Sequence, residues 1–294
     1  MYKKAYGIIQ TQSPLHVGAT AGEETGNLNL IFRDQFTQTG IIPGSSIRGR
    51  LRSEMRRESE ADENYWYGQK PDWKDPNASQ EKESETAGDN PAEGKTTESF
   101  VKIEYASIVW LPVFCPGQPM VWVSCPRLLR RYQRIAGSLD TPEAELLRDA
   151  DLPKEYTRSK TLKPLKVDGI EKLFFNFGFL TIEDKADLSP WFPLGEQLPA
   201  VVVADDEIAM IHDMALYRQS RVRLEDEEKK VKGGQFFNTE ALPEDTILVF
   251  AIALRDDPKG GKWQPFNGED SEEIYLGGLE SIGFGRCSVT LKGV

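Results

Sequence analysis

The side chains best placed to do chemistry are arginines. Within Ile41-Ile42-Pro43-Gly44-Ser45-Ser46-Ile47-Arg48-Gly49-Arg50-Leu51-Arg52-Ser53-Glu54-Met55-Arg56-Arg57, Arg48, Arg52 and Arg56 recur every fourth residue. Arg50 and Arg57 broaden the row, and Glu54 is the only acid before Glu58. Guanidinium groups at that spacing stack along one side of a helix and can follow several phosphates in a row, which fits a polynucleotide better than a mononucleotide. Ile47, Leu51 and Met55 form an apolar stripe at the same spacing, so the helix must pack on a core. Ile41-Ile42 reads as a short buried strand, Pro43-Gly44 as a sharp turn, and Ser45 or Ser46 as the helix cap. A helix start carries free N–H groups and the positive dipole end, an anion site. Gly49 in the first turn weakens the helix and makes sense where another backbone comes close. The spacing is not that of a P-loop. A solvated basic face fits the same residues.

Other chemistry is sparse. With only His16 and His212, a histidine-rich metal centre is excluded. Cys115, Cys125 and Cys287 are odd in number and widely spaced, which suits neither a disulfide framework nor a zinc knuckle. Cys115 and Cys125 read as packing residues, and Trp122 as core. A net charge of −11 argues against a protein that coats nucleic acid nonspecifically. The charge is uneven, however. Residues 1–57 hold eight Lys/Arg against four Asp/Glu, and residues 58–104 hold five against thirteen. A local basic surface can bind phosphates on an acidic chain. No apolar run is long enough to span a membrane, and the N-terminus lacks a signal-peptide core, so a cytoplasmic protein without a membrane partner is expected.

Around these residues the chain alternates between strands and a few helices. Lys4 to Gln12 reads as a first strand, Leu28 to Phe32 as a short one, and Val101 to Val113 as a long apolar one with Met120 to Val123 beside it. Pro126 opens a helix with Leu128, Leu129, Tyr132 and Ile135 inward and Arg127, Arg130, Arg131 and Arg134 outward. A solvated basic face fits these arginines. A second helix starts at Thr141-Pro142. Glu171 to Thr181 reads as one strand interrupted by Gly178, and Thr246 to Leu254 as a buried strand. Residues 68–99 are acidic and nearly free of aliphatic side chains, the composition of a flexible insertion. Arg221-Val222-Arg223-Leu224 and Lys230-Val231-Lys232 flank an acidic turn, a hairpin with basic residues on one face and too little apolar surface for a core, so it projects. The whole reads as one α+β domain, an antiparallel sheet with helices to one side.

Several motifs occur in a fixed order: Ser13-Pro14-Leu15-His16-Val17-Gly18, Ile42-Pro43-Gly44-Ser45-Ser46-Ile47-Arg48-Gly49 with Leu51-Arg52, and Gly277-Gly278 followed by Ile282-Gly283-Phe284-Gly285. The set resembles the RAMP superfamily of CRISPR effector proteins. Glu104-Tyr105-Ala106 leading into Leu111-Pro112-Val113, then Val121 to Pro126, resembles the Cas-seven-type backbone subunit of type III-B (Cmr) complexes, the fourth Cmr subunit. So does Arg221-Val222-Arg223-Leu224 with Gly234-Gln235-Phe236-Phe237 and Glu240-Ala241-Leu242-Pro243. The match covers nearly the whole chain outside residues 68–99. The resemblance implies a modified RNA-recognition (ferredoxin-like) fold with a β-hairpin thumb, here residues 212–243. Copies would stack in a filament on guide RNA, each thumb splaying a base pair of the guide–target duplex. Partners would be CRISPR guide RNA, complementary target RNA, further copies, a large Cas-ten subunit, a Cas-five-like cap, a small Cas-eleven subunit and other RAMP subunits. The implied RNA-binding residues are Gly44, Ser45, Ser46, Arg48, Gly49, Arg50, Arg52 and Arg56 on the helix. They are joined by Arg221 and Arg223 on the hairpin and by Gly277, Gly278, Gly283, Gly285 and Arg286 in the loop near the C-terminus. His16 either touches RNA or is a satisfied histidine at a strand end.

In this family a loop aspartate, in a pattern like Gly-x-x-Asp-x-Pro-Ile-x-Arg-Glu, is needed for metal-dependent cleavage of target RNA. Here the run is Gly26-Asn27-Leu28-Asn29-Leu30-Ile31-Phe32-Arg33-Asp34. Counted from Gly26 the position is Asn29, and counted from Arg33-Asp34 it is Leu28. An amide is a poor ligand for Mg²⁺ and no base at pH 7. Glu23 and Glu24 could substitute if the loop is rearranged. The expectation is RNA binding with weak or absent cleavage, Mg²⁺ being needed only if the chain cuts. Two alternatives stay open: an endoribonuclease that cuts target RNA at regular intervals, and a CRISPR-RNA-processing nuclease of a sister RAMP family with His16 as acid or base.

Overall fold

The computed structural model describes residues 2–18, 28–68, 97–224, 231–257 and 260–294, without the side chains of residues 28, 119, 222–224 and 231–237. Most of the acidic insertion therefore lies outside the described residues. In chain order the elements are β1 (Tyr2–Thr11), β2 (Leu28–Asn29), β3 (Ile41–Ile42), α1 (Gly44–Glu58), α2 (Glu60–Tyr67), β4 (Val101–Ile103), β5 (Ala106–Cys115) and β6 (Gln118–Ser124). Next come α3 (Pro126–Ala136), α4 (Pro142–Asp149), β7 (Thr157–Arg158), β8 (Leu165–Val167), β9 (Ile170–Phe175), β10 (Gly178–Thr181), β11 (Asp184–Lys185) and β12 (Ala200–Val202). The chain closes with α5 (Ile208–Ala215), β13 (Tyr217–Leu224), β14 (Val231–Ala241), β15 (Ile247–Arg255), β16 (Ser271–Tyr275) and β17 (Arg286–Lys292).

The main sheet runs β11-β7-β12-β6-β5-β15-β1-β17-β16, with β3 paired to β5 and β4 to β15. Its centre is antiparallel. β15 pairs with β1 from Tyr2↔Arg255 to Gln10↔Ile247, and β1 pairs with β17. Two pairings are parallel, β12 with β6 and β11 with β7. This is the α+β architecture read from the sequence, with one correction. Helices cover both faces of the sheet. Alternate residues of the central strands feed two cores, Ala5 and Ile9 of β1 into one and Tyr6 and Ile8 into the other. The first core takes Ile47, Leu51 and Met55 of α1 and Trp66 of α2. The second takes Leu129, Tyr132 and Ile135 of α3 and Ala144 and Leu147 of α4. Burial on both sides explains why β5 and β15 read as nearly unbroken apolar runs.

Two strand boundaries also differ from expectation. The long apolar strand breaks at Glu104-Tyr105 into β4 and β5, which pair with different stretches of β15. Glu171 to Thr181 is a hairpin, Phe175 opposite Gly178, and with β8 it makes a separate three-stranded sheet. The 217–241 hairpin is longer than the charged segments suggest, pairing from Tyr217↔Ala241 to Leu224↔Val231. Its tip, residues 225–230, lies outside the described residues. Its root is embedded, with Leu216, Ala241 and Leu242 buried.

Candidate nucleic-acid interface

Helix α1 starts where the sequence places it but without a serine cap. Pro43 is the N-cap residue, no side chain caps the first turn, and no acid lies in that turn. Ser45 is exposed and Ser46 half-buried. Pro43 cannot lend a hydroxyl, so the positive end of the 15-residue helix meets no side-chain acceptor of its own. Gly44 is fixed by packing. A Cβ there would sit 2.4 Å from the Ile103 carbonyl oxygen.

The arginine ridge is partly engaged inside the chain. Helix α2 folds back against α1 and presents Glu63, only 1% exposed, to Arg52 and Arg56. Arg56 binds Glu63 through both Nε and Nη2, at 3.0 and 2.9 Å. Arg52 also reaches the Gly68 carbonyl, and Arg48 donates to the Tyr67 carbonyl while lying 5.5 Å from that ring's centre. Burial alone would push the Glu63 carboxyl up, but the hydrogen bonds from Arg56 and Arg52 hold it below the usual range. Arg50 and Arg57 both pair with the buried Glu54. Three arginines thus dock one helix on another, a role that sequence spacing does not distinguish from phosphate binding.

On the other flank of α1 lies an open groove of about 450 Å³. Ser46, Gly49, Arg50 and Ser53 line one wall, and Tyr275 to Gly278 with Glu280 line the other. A Cβ on Gly49 or Gly278 would meet no atom within 4 Å, so at both positions bare backbone faces open space. Gly277 and Gly285 differ. Both have positive φ, and a Cβ would stand 2.2 Å from the His16 carbonyl oxygen and 2.3 Å from that of Leu276, respectively. They shape the wall. Gly283 also has positive φ but faces open space. The Nε of Arg50 is buried with no hydrogen-bond partner among the described residues. The groove therefore combines the side of the first turns of α1, two hydroxyls, the Glu54-paired guanidinium of Arg50 and exposed backbone, with Glu280 on the facing wall.

His16 stands behind this wall. It is 8% exposed, its carbonyl accepts from Gly278 N, and its Nδ1 lies 2.6 Å from the Glu240 carbonyl. A carbonyl only accepts, so Nδ1 carries the proton. His16 is thus hydrogen-bonded through its ring and its carbonyl, at the groove's edge. Arg286 is exposed, and Arg221 lies 5.4 Å from the centre of the Phe284 ring, tying the hairpin to the glycine loop. Arg223 is in β13, but its side chain lies outside the described residues.

Asn29 ends β2, which runs parallel to β14 with Thr239 opposite Asn29. Leu28 and Asn29 thus both lie against the hairpin's root. Glu23 and Glu24 lie outside the described residues. Asp34 is spent on its own turn, accepting from Phe36 N, Thr37 N and Thr37 Oγ1. Burial would raise its carboxyl pKa, but these bonds and Arg127 hold it low. No three His, Cys, Asp or Glu side chains among the described residues converge as a metal site. The described residues do not fit Mg²⁺.

Sequence reading missed the ion network at the hairpin root. Arg33 and Arg218 each bind both Asp213 and the 4%-exposed Glu240, at 2.9 to 3.2 Å. Beside them the buried His212 accepts from Gly40 N at 2.9 Å, and burial first, then Arg33, pushes its pKa down to about 3. These residues span more than 200 positions, and no local pattern joins them. Trp122 is only half-buried, its Nε1 donating to the Asp245 carbonyl, while all three cysteines are buried thiols.

Comparisons with known proteins bear on the fold. A family model described as RAMP superfamily matches residues 8–288. Among solved structures, a chain of type III-B Cmr-beta in the apo state superposes with a TM-score of 0.72 at 18% identity, covering 98% of this chain and 97% of that one. A chain of the same Cmr-beta bound to cognate target RNA gives 0.68 at 18%, covering 98% and 96%. Oligomeric Cmr4 from Pyrococcus furiosus gives 0.64 at 17%, covering 99% and 98%. A comparison of the sequence with curated proteins finds no match.

Proposed function

The chain belongs to the RAMP superfamily, and from this premise we propose that it is a guide-RNA-binding backbone subunit of a type III-B-like antiviral effector complex. It holds guide RNA and the guide–target duplex with little or no cleavage at its own site. The observation that carries the reading is the groove beside α1, where Gly49 and Gly278 bare two stretches of backbone to the same space. Contacts there go to phosphate and sugar, so recognition is by backbone and shape rather than sequence. The partners follow from the family: guide RNA, target RNA, further copies of the chain and the other type III subunits. The β13–β14 hairpin within the 212–243 segment serves as the thumb, and the ion pairs at its root set where it meets the duplex. No helix among the described residues is long and apolar enough to cross a membrane, and a cytoplasmic site of action fits an RNA-guided complex.

The reading without cleavage rests on Asn29 and on Asp34 being bound into its own turn. The test assembles the chain with guide RNA and partner subunits and adds end-labelled complementary RNA and Mg²⁺. Wild type is expected to protect the target intact, Arg50→Glu and Gly278→Val to lose RNA affinity, and Asn29→Asp to yield a regular ladder. A ladder from wild type would overturn the non-cleaving reading. Unchanged RNA affinity in both groove variants would overturn the groove.

A further inference from the structure

The most exposed large apolar side chain among the described residues is Phe36, at 74%. It is held rigidly. Asp34 fixes its turn through three hydrogen bonds, and Thr37 Oγ1 and Thr39 Oγ1 lie 2.8 Å apart behind it. The ring forms one lip of a cleft of about 350 Å³ whose other walls carry Tyr105 and four arginines of α3, Arg127, Arg130, Arg131 and Arg134. The guanidinium of Arg127 lies 5.2 Å from the Phe36 ring centre, and that of Arg131 lies 4.0 Å from the Tyr105 ring centre. Arg131 is anchored, with Nε donating to Ser107 Oγ and Nη2 to the Tyr105 carbonyl. The side chains of Arg130 and Arg134 are exposed and make no hydrogen bond or ion pair among the described residues.

The cleft adjoins the start of α1. Ile41 of β3 pairs with Ser107 on the cleft floor, and Gly44 packs directly on the backbone of Ile103 and Glu104. The β3–α1 junction thus links the helix that walls the groove to the strand that lines this cleft. A solvent-facing aromatic ring costs solubility, and a stiff turn that presents one among guanidinium groups is what stacks an unpaired base while its phosphates are held.

We propose that this cleft is a second RNA contact, in which an unpaired base stacks on Phe36 and the flanking phosphates are held by Arg127, Arg130 and Arg134. Arg131 and Tyr105 form the floor, and Asp34 is the positioning residue that fixes the turn. The inference rests on the RNA-binding reading above and extends it from backbone tracking to a base platform. Stacking is indifferent to base identity, so this contact too is sequence-tolerant.

The experiment measures anisotropy of a fluorescein-labelled oligouridine with the full chain over a range of KCl concentrations, for wild type, Phe36→Ala, Arg130→Gln/Arg134→Gln and Arg50→Glu. Phe36→Ala, at an exposed position that folding does not need, is expected to weaken binding by roughly 5- to 100-fold without changing the salt slope. The double arginine variant is expected to lower the slope of log K against log salt by about 1.4, two phosphates' worth on a single strand. If both cleft variants bind as wild type while Arg50→Glu weakens, the cleft is wrong and the groove stands. If wild type itself binds no RNA, the groove and the cleft fall together. If the cleft variants keep RNA affinity but change oligomer size by light scattering, the cleft is a protein face, and the proposal is overturned.

Discussion

Replacing Glu63 by glutamine keeps the size of the side chain and removes the charge that holds α2 on α1. In the native fold Glu63 is 1% exposed and answers two guanidinium groups, Arg52 at 15% and Arg56 at 45% exposure. Breaking a fully buried pair by removing one partner costs roughly 3–5 kcal/mol, because the remaining charge is stranded. Arg56 can turn to water, and Arg52 keeps the Gly68 carbonyl, so the loss falls below that range, about 2–3 kcal/mol. For a chain of this size that lowers the thermal midpoint by roughly 4–12 °C. Urea unfolding followed by tryptophan emission reads it directly, since Trp66 sits on α2. The same variant tests the other use of the ridge. If Arg52 and Arg56 also reach phosphates, freeing them steepens the salt dependence of RNA affinity by up to about 1.4. A midpoint shift smaller than about 0.5 kcal/mol would refute the docking role assigned to the ridge. A stability loss with an unchanged salt slope would confine Arg52 and Arg56 to that role.

Further outcomes follow from the same geometry. Gly49→Ala fills open space in a helix and should raise stability by about 0.5–1 kcal/mol while lowering RNA affinity, a split visible when melting and anisotropy are run together. Gly277→Ala should instead destabilise by about 2 kcal/mol or more, since positive φ and the His16 carbonyl leave no room for a Cβ. His212 is buried neutral with its pKa lowered to about 3. The unfolded chain therefore binds the proton first, and stability falls by up to about 1.4 kcal/mol per pH unit as pH drops from 6.5 towards 3. His212→Gln, which keeps an acceptor for Gly40 N, should flatten that acid limb in urea midpoints taken at successive pH values. Glu240→Ala leaves Arg33 and Arg218 with Asp213 alone at the hairpin root and should speed amide exchange along β13 and β14 more than along β15.

The local pieces are legible in the order of the residues. The period of Ile47, Leu51 and Met55 dictates a helix with one buried side, Pro126 at the start of α3 and the Thr141 hydroxyl on Ala144 N were readable as helix starts, and the apolar length of β5 and β15 marks the sheet's centre. These signals live within one or two turns of chain, where steric and hydrogen-bond preferences act without knowing the fold. The ordered glycine and proline motifs also carried the family, because backbone positions with positive φ or close approach, such as Gly277 and Gly285, admit few other residues. The use made of the charges depends on the assembled fold. An arginine at helical spacing looks the same whether it faces Glu63 from the next helix or open solvent, so the partition between a docked ridge and an open groove was invisible. Asp34 and Asn29 were likewise readable as residue types but not as a turn clamp and a strand end. The clamp of Arg33, Asp213, Arg218 and Glu240, and the meeting of Phe36 with the arginines of α3, join residues up to 207 positions apart. Coulomb and packing energies depend on distance in space, and only the closed sheet brings those groups within reach.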